Sequence, residues 1–185
     1  MPPNSLPTFS HQKSLKESES TMSAAIVLPT LTNWTKNHIT AIFQATNKAD
    51  FTSSINAFLS DKASITLNGV KTSRAEFVSK VQAEKFDESG AVVSFISAVE
   101  VPKDGEQPVV AGSVGVSYNA IVAEGIVIRD AAITRQVTAS VNVVIEQDPD
   151  VPKPPPSPIH GFFDGRRVMS LNQVSIEGPV PTQSA

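Results

Sequence analysis

The alternation of apolar and polar residues from 131 to 147 constrains the fold of this chain more than any other feature. The odd positions are mostly Ile, Val or Ala, and the even positions are mostly Thr, Gln, Ser or Asn. Side chains of a β-strand point alternately to its two faces, so the pattern predicts one long strand with an apolar and a polar face. Residues 109–124 show the same alternation, with the apolar residues at even positions. We therefore predict two neighbouring antiparallel strands of one curved sheet.

Apolar residues at helical spacing precede these strands and predict three helices. The first helix begins at Thr32 or Asn33, either of which can act as the N-cap. Asp50 caps a second, short helix, and a third opens with the capping-box form of Ser73 and Glu76. The helices are expected to cover one face of the sheet.

Shorter strands complete the predicted sheet. A strand over 63–67 ends at Asn68-Gly69, a pair typical of tight hairpin turns. Further strands are predicted over 91–101 and 166–177, the latter as the last element of the chain. The element order is thus helix, helix, short strand with a turn, helix, and then four long antiparallel strands.

The length of 185 residues favours a single domain. Residues 1–23 are rich in Ser, Pro and Lys and are expected to form a disordered tail. Residues 24–178 form the predicted domain, which includes a Pro-rich loop over 148–165, and residues 179–185 form a second tail. At the end of the loop, Asp164 with the following Arg166 and Arg167 predicts a loop-anchoring ion pair rather than a phosphate site.

Composition excludes several classes of function. The net charge is −3 and the basic residues are scattered, which argues against a nucleic-acid-binding surface. The chain has no Cys, so disulfides, thiolate nucleophiles and Cys-ligated zinc are excluded, and three His residues leave little for another metal site. No run of about 18 apolar residues occurs, so no membrane span is expected. We expect a cytoplasmic protein without cofactor or metal.

The order of elements resembles the nuclear-transport-factor-2-like superfamily, also called SnoaL-like or ketosteroid-isomerase-like. The resemblance covers roughly Thr32 to Ile176 and rests on element order, the Asn-Gly turn before the third helix and the long bent strands. The segments IVIRDAAITRQVTASVNVVIEQD and FFDGRRVMSLNQV look like those of uncharacterised fungal members. The resemblance implies an α+β, cone-shaped, cystatin-like fold, in which three N-terminal helices pack on a strongly curved, mostly antiparallel sheet.

The resemblance also implies two candidate sites, a pocket at the wide end of the cone and a dimer interface on the outer face of the sheet. The rows of Ser, Thr, Asn and Gln suit such an interface and would equally suit exposure to water. Enzymes of the superfamily, which include isomerases, dehydratases, cyclases and epoxide hydrolases, place an acid-base carboxylate inside the cone. The apolar rows of the two long strands contain no Asp or Glu before their ends, which departs from the enzymes.

Four residues are candidates for contact with a ligand: Trp34, His38, Tyr118 and Arg135. The last three are also candidates for catalysis, although no catalytic residue is assigned. His38 lies on or beside the apolar face of the first helix, where it is either a hydrogen-bonded core residue or an acid-base group. Tyr118 lies in an apolar row and could donate a hydrogen bond to a ligand or to the protein.

Arg135 stands between Ile133 and Val137 in an apolar row, where an unpaired guanidinium would be costly. Its partner is expected to be a carboxylate such as Asp130 or Glu124, a ligand anion, or solvent reached through a bulge.

Two functions follow from these features. The first is a binding domain that takes a small apolar ligand or a protein partner, with a homodimer formed through the outer sheet face. The alternative is a cofactor-independent lyase, isomerase or cyclase that acts on a hydrophobic carbonyl or polyketide-like substrate. Convergence of the three catalytic candidates on one pocket would favour the ligand or enzyme hypothesis, and a filled cone would favour the protein-interaction hypothesis.

Overall fold

The computed structural model describes residues 28–84, 91–128, 131–153 and 163–180, with side chains at 124–133 left aside. The predicted tail over 1–23 lies outside the described residues, as does most of the predicted tail over 179–185. In chain order the elements are α1 (Leu31–Gln44), α2 (Lys48–Phe58), β1 (Leu59–Leu67), β2 (Val70–Thr72), α3 (Arg74–Glu84), β3 (Ala91–Pro102), β4 (Gly112–Ile128), β5 (Ala131–Gln147) and β6 (Arg166–Pro179).

The six strands form one sheet in the order β2-β1-β6-β5-β4-β3. All neighbours are antiparallel except β1 and β6, which are parallel. The two longest strands, β4 and β5, pair along most of their length, and β5 has the bounds that the alternation predicted. The architecture confirms the predicted α+β class, with three helices on a mostly antiparallel sheet.

Two of the predicted helix caps are wrong by a few residues. The N-cap of α1 is Thr30, whose side chain accepts a hydrogen bond from the backbone N–H of Asn33. The N-cap of α2 is Asn47, whose Oδ1 accepts from the backbone N–H of Asp50 at 2.9 Å. Both sites offer more than one capping residue within four positions, and in each case the observed cap is the earliest of them: Thr30 before Thr32 and Asn33, and Asn47 before Asp50.

Other local signals in the sequence are confirmed. The backbone N–H of Ser73 donates to Glu76 Oε2 at 2.9 Å and that of Glu76 donates to Ser73 Oγ at 3.2 Å, which is the reciprocal capping box. Asn68 and Gly69 both have positive φ, 50° and 81°, as a type I′ hairpin turn requires. This turn places the start of α3 beside the sheet.

The helices cover one face of the sheet, here called the inner face. Its buried residues on β4 and β5 follow the predicted alternation, at even positions of β4 and odd positions of β5. The side chains of α1, α2 and α3 that pack against it are mostly aromatic or branched aliphatic: Leu31, Trp34, Ile39, Ile42, Phe43, Phe51, Ile55, Phe58, Phe77 and Val81. In the part of the chain that the structure describes, no helix is long and apolar enough to cross a membrane.

Candidate functional site

A cavity of about 30 Å³ lies between the helices and the inner face of the sheet. That volume holds one or two water molecules, whereas sites for small organic ligands usually enclose about 300–1,000 Å³. The interior of the cone is therefore largely filled by side chains. The cavity is lined mainly by apolar residues from all three helices and from the strands: Ile39, Ile42, Phe43, Ile55, Phe58, Phe77, Val81, Val141 and Leu171.

Three polar side chains from three different elements also line this cavity. They are Glu84 at the end of α3, Tyr118 on β4 and Gln173 on β6, and they are only 7%, 4% and 5% exposed. Burial raises the pKa of the Glu84 carboxyl, an effect that Lys80 opposes and Glu177 reinforces. Burial also raises the pKa of the Tyr118 phenol, and the neighbouring Glu84 charge raises it further. At neutral pH the Tyr118 hydroxyl is protonated and available as a hydrogen-bond donor.

Glu84 is a buried carboxylate of the cone interior that the sequence interpretation missed. The two long strands carry no acidic residue on their apolar rows before their ends, and the carboxylate comes from α3 instead. Glu84 lies seven residues after Phe77 and three after Val81, so it falls on the same helical face. Extension of the helical periodicity by one more turn would have found it.

Trp34 and His38 lie together on α1, in an aromatic cluster with Phe58, which also lines the cavity. The centroid of the His38 ring is 4.3 Å from that of Trp34 and 5.8 Å from that of Phe58. Burial lowers the pKa of His38 to about 4, with Asp164 opposing the shift and Arg167 adding to it. His38 is therefore neutral at physiological pH, which is typical of a packed core histidine.

The aromatic cluster adjoins a buried ion pair between Arg166 and Asp164. Arg166 is fully buried, and its Nε and Nη2 donate to the two Asp164 oxygens at 2.9 and 2.7 Å. Its Nη1 donates to the backbone carbonyls of Pro29 and Val109 at 3.1 and 2.7 Å, and Trp34 Nε1 donates to Asp164 Oδ2 at 3.1 Å. This network ties the start of β6 to the start of α1 and to the segment before β4, as expected for an anchoring pair.

Arg135 lies near the far end of the sheet. The register opposite Val122 puts it on the inner face, as the alternation indicates, but its side chain is 46% exposed. Its Nη1 donates to Glu177 Oε1 at 2.6 Å, so its partner is a carboxylate on β6. A carboxylate partner is thus confirmed, but it is Glu177 and not Asp130 or Glu124, because the pairing of β5 with β6 brings Glu177 beside Arg135.

The face of the sheet that points away from the helices, here called the outer face, is unusually apolar at its sides. On strands β3, β5 and β6 it exposes large aliphatic side chains, each by 38% or more: Val92, Ile96, Val99, Val101, Val144, Val174 and Ile176. Exposed apolar patches of this kind mark interaction surfaces in folded proteins. The polar rows predicted for this face lie between the aliphatic groups, on β4 and β5.

A shallow groove of about 460 Å³ crosses the outer face. Its floor is formed by Ser117, Thr138 and Ser140, and its walls by Ile96 on one side and by Val174 and Ile176 on the other. The floor is low because the residues on it are small. The walls are high because branched aliphatic side chains stand on the flanking strands.

The solved structures with a similar backbone identify the fold. Mtr2 of Candida albicans matches with a TM-score of 0.50 and 13% identity, over 82% of this chain and 96% of that chain. The same values apply to the structure of C. albicans Mtr2 in complex with the Mex67 M domain. This chain has the nuclear-transport-factor-2-like fold. Nuclear transport factor 2 of Cryptosporidium parvum matches at a TM-score of 0.46 and 12% identity, over 78% of this chain and 90% of that chain.

No family model matches the chain, and no curated protein does. At 13% identity the likeness to Mtr2 shows the fold alone.

Within this nuclear-transport-factor-2-like fold, the four candidate residues lie in three places. Trp34 and His38 lie together beside the Arg166 network, Tyr118 lines the cavity with Glu84, and Arg135 lies at the far end of the sheet. Tyr118 is the one member of the proposed catalytic trio that lines the cavity. The described residues thus offer two candidate sites, the apolar outer face of the sheet and the cavity lined by Glu84 and Tyr118.

Proposed function

We propose that this domain is a protein-interaction domain that forms a homodimer through the outer face of its sheet. The observation that carries the proposal is the contrast between the two faces. The inner face encloses a cavity of about 30 Å³, whereas the outer face exposes Ile96, Val174 and Ile176 by 64%, 62% and 73%. Burial of such side chains stabilises an interface by about 25 cal/mol per Å² of apolar surface, less the cost of association.

The charge distribution on the outer face favours a second copy of the chain as the partner. Val101 and Val92 mark two lines of paired residues that cross strands β3 to β6. Between and including these two lines, no described side chain on the outer face is charged. The exposed ion pair of Lys103 and Glu146 lies beyond the Val101 line. An uncharged centre with charges at its margin is typical of an interface core and its rim. A second copy presents the same uncharged centre, so no charge is buried without a partner.

The comparison with Mtr2 supports protein contact as a use of this fold. Mtr2 of C. albicans has been solved in a complex with the Mex67 M domain. A domain of this fold can therefore act through a protein partner.

Sedimentation equilibrium of the full chain at micromolar concentration tests the homodimer. Val174→Asp places a charge in the outer face and should convert the dimer to a monomer. Val70→Asp is the matched control, because Val70 is 66% exposed on the edge strand β2 and Val174 is 62% exposed. A monomeric wild-type chain, or equal dissociation by both variants, would refute the proposal.

A second candidate function rests on the burial of Glu84 beside Tyr118. A carboxyl with raised pKa in an apolar cavity can act as a general acid or base, and a tyrosine hydroxyl can polarise a carbonyl oxygen. The candidate is a cofactor-independent lyase, isomerase or cyclase for a hydrophobic carbonyl or polyketide-like substrate. His38 and Arg135 lie outside the cavity lining and take no part in this version of the hypothesis. A small apolar ligand would have to enter the same cavity by displacing side chains.

Thermal-shift screening with apolar carbonyl compounds tests the ligand and enzyme candidates together. A stabilising compound should lose its effect in Tyr118→Phe and in Glu84→Gln, and should keep it in Arg135→Ala. A compound that stabilises the wild type and all three variants equally would place its site elsewhere.

We also propose a cytoplasmic location. The chain has no Cys, so its fold does not depend on an oxidising compartment. Fractionation of cells that express the tagged full chain tests this, and recovery in an organelle or membrane fraction would contradict it.

A further inference from the structure

The groove on the outer face is built from aligned rows across the four strands β3 to β6. One row runs through Ser97, Ser117, Ser140 and Val174. The next row on this face runs through Asn119, Thr138 and Ile176. In both rows the residues on β4 and β5 are small or polar, and the residue on β6 is a large aliphatic one. The groove therefore runs along the strands, and Val174 and Ile176 form a continuous ridge beside it.

The polar atoms on the groove floor are hydrogen-bonded to one another. Thr138 Oγ1 donates to Asn119 Oδ1 at 2.9 Å and accepts from Gln136 Nε2 at 3.1 Å. Ser117 Oγ and Ser140 Oγ are 3.5 Å apart. A polar group that already has a partner loses little when an apolar surface covers it. The floor can therefore receive aliphatic side chains without a large desolvation cost.

Two identical outer faces can meet in two ways. If ridge met ridge, both grooves would remain as voids between the sheets, and their walls would lose the contacts that close packing provides. If the ridge of each copy entered the groove of the other, both voids would be filled and the exposed aliphatic side chains would be buried.

We propose that Val174 and Ile176 of each copy insert into the groove over Ser117 and Ser140 of the other copy. This inference rests on the proposed homodimer and specifies how its faces meet. The two contacts are equivalent, as a two-fold interface requires. The ridge stands on β6 and the groove lies over β4 and β5. For one to face the other, the two-fold axis must run roughly along the strands, between β5 and β6, which are about 4.8 Å apart. Each groove then lies over the ridge of the partner.

The proposed packing makes a specific prediction about distances between copies. Position 117 of one copy lies near position 174 of the other. The two copies of position 117 lie more than two strand spacings apart, because the axis is displaced from β4. Cross-links between position 117 of one copy and position 174 of the other are therefore favoured over 117–117 and 174–174 cross-links.

Single-cysteine cross-linking tests this geometry without background, because the chain has no native Cys. Ser117→Cys and Val174→Cys variants of different tag length are mixed, allowed to exchange, and treated with a short bis-maleimide. The mixed product should exceed both self-linked products. Ser53→Cys, at an exposed position of α2, is the control and should give no mixed product with Val174→Cys.

Filling the groove gives a second and independent test. Ser117→Leu should raise the dimer dissociation constant by about tenfold or more, since the ridge can no longer enter. Ser53→Leu adds the same side chain on the opposite side of the molecule and should leave the constant unchanged. Thermal unfolding of both variants checks that each is folded.

The outcomes separate this inference from the proposal on which it rests. A dimer whose self-linked products at 117 or 174 equal or exceed the mixed product would overturn the ridge-in-groove packing and leave the homodimer intact. A monomeric wild-type chain would overturn both. A dimer that tolerates Ser117→Leu without a change in its dissociation constant would overturn the packing alone.

Discussion

Arg166 and Glu84, two of the buried charged groups, differ in the partners that the fold gives them. Arg166 is fully buried and donates to both oxygens of Asp164 and to two backbone carbonyls. Glu84 is 7% exposed, yet among the described residues it has no ion pair, and its nearest charged influences are Lys80 and Glu177. A buried charge with a full set of partners holds elements together, whereas one without them is poised to exchange its proton.

The two groups also lie far apart along the sheet. Arg166 pairs with Gln147, whereas Tyr118, the neighbour of Glu84, pairs with Ala139. These positions are eight residues apart on β5, or roughly 26 Å along the strand. The anchoring network and the acid-base pair can therefore be altered independently, and four predictions use this separation.

The largest effect is expected at the anchoring end. Arg166→Met removes the guanidinium, which leaves Asp164 without its ion pair and the carbonyls of Pro29 and Val109 without this donor. Breaking a buried ion pair from one side costs about 3–5 kcal/mol of unfolding free energy. Urea denaturation measures the loss. Lys103→Met breaks an exposed ion pair and should cost less than about 1 kcal/mol. Equal losses in the two variants would show that the Arg166 network is no anchor.

Packing at the same end predicts the next effect. A Cβ at Gly112 would lie 2.5 Å from the Val101 carbonyl oxygen and 2.7 Å from Leu31 Cδ1. Because one neighbour is backbone, the strands must shift, and Gly112→Ala should cost about 1–3 kcal/mol. Gly105→Ala is the matched control, since nothing lies within 4 Å of a Cβ there. If thermal unfolding gives the same midpoint for both variants, β3 and β4 are more loosely joined than the structure indicates.

Acid should destabilise the anchoring end through His38. Burial lowers its pKa from 6.5 to about 4, so the unfolded state binds more protons between these values. Stability is then fully present above pH 6.5 and falls as the pH decreases towards 4, by about 2 kcal/mol after allowance for partial exposure. His38→Gln should flatten the unfolding free energy across this window. If the unfolding free energy of the variant still fell with decreasing pH as steeply as that of the wild type, the acid sensitivity would belong to another group.

Local patterns in the sequence were enough to predict the sheet and its two faces. The side chains of residues 131–147 alternate because a strand has a period of two, and this holds without knowledge of any partner. The capping box at Ser73 and the turn at Asn68-Gly69 are equally local. The predicted caps of α1 and α2 are wrong, because several polar residues near each helix start can act as the cap and only the packed helix decides between them.

The candidate site was harder to predict, because it depends on contacts between distant parts of the chain. Arg166 was expected to pair with Asp164, but its bonds to Pro29 and Val109 require α1 and the segment before β4 to meet β6. The exposure of Arg135 depends on where the helices stop covering the sheet. The burial of Glu84 depends on α3, β4 and β6 enclosing one cavity, which no local pattern in the sequence encodes.

The smallest predicted effect tests the other buried charge and has the opposite sign. The pKa of Glu84 is raised, so the native state binds more protons than the unfolded state just above the usual range of a glutamate. Its contribution to stability therefore falls as the pH rises through that range, and Glu84→Gln should be slightly more stable than the wild type at pH 7.

Glu76 is the control for the direction of the stability change in Glu84→Gln, because hydrogen bonds from Ser73 lower the pKa of Glu76. Its carboxylate adds stability above the pKa of the unfolded state, so Glu76→Gln should be less stable than the wild type at pH 7. Unfolding free energies at pH 4 and pH 7 measure both. If Glu84→Gln also lost stability at pH 7, the carboxylate would have a stabilising partner after all. The contrast between an anchored and an unanchored buried charge would then disappear, and with it the main support for an acid-base role of Glu84.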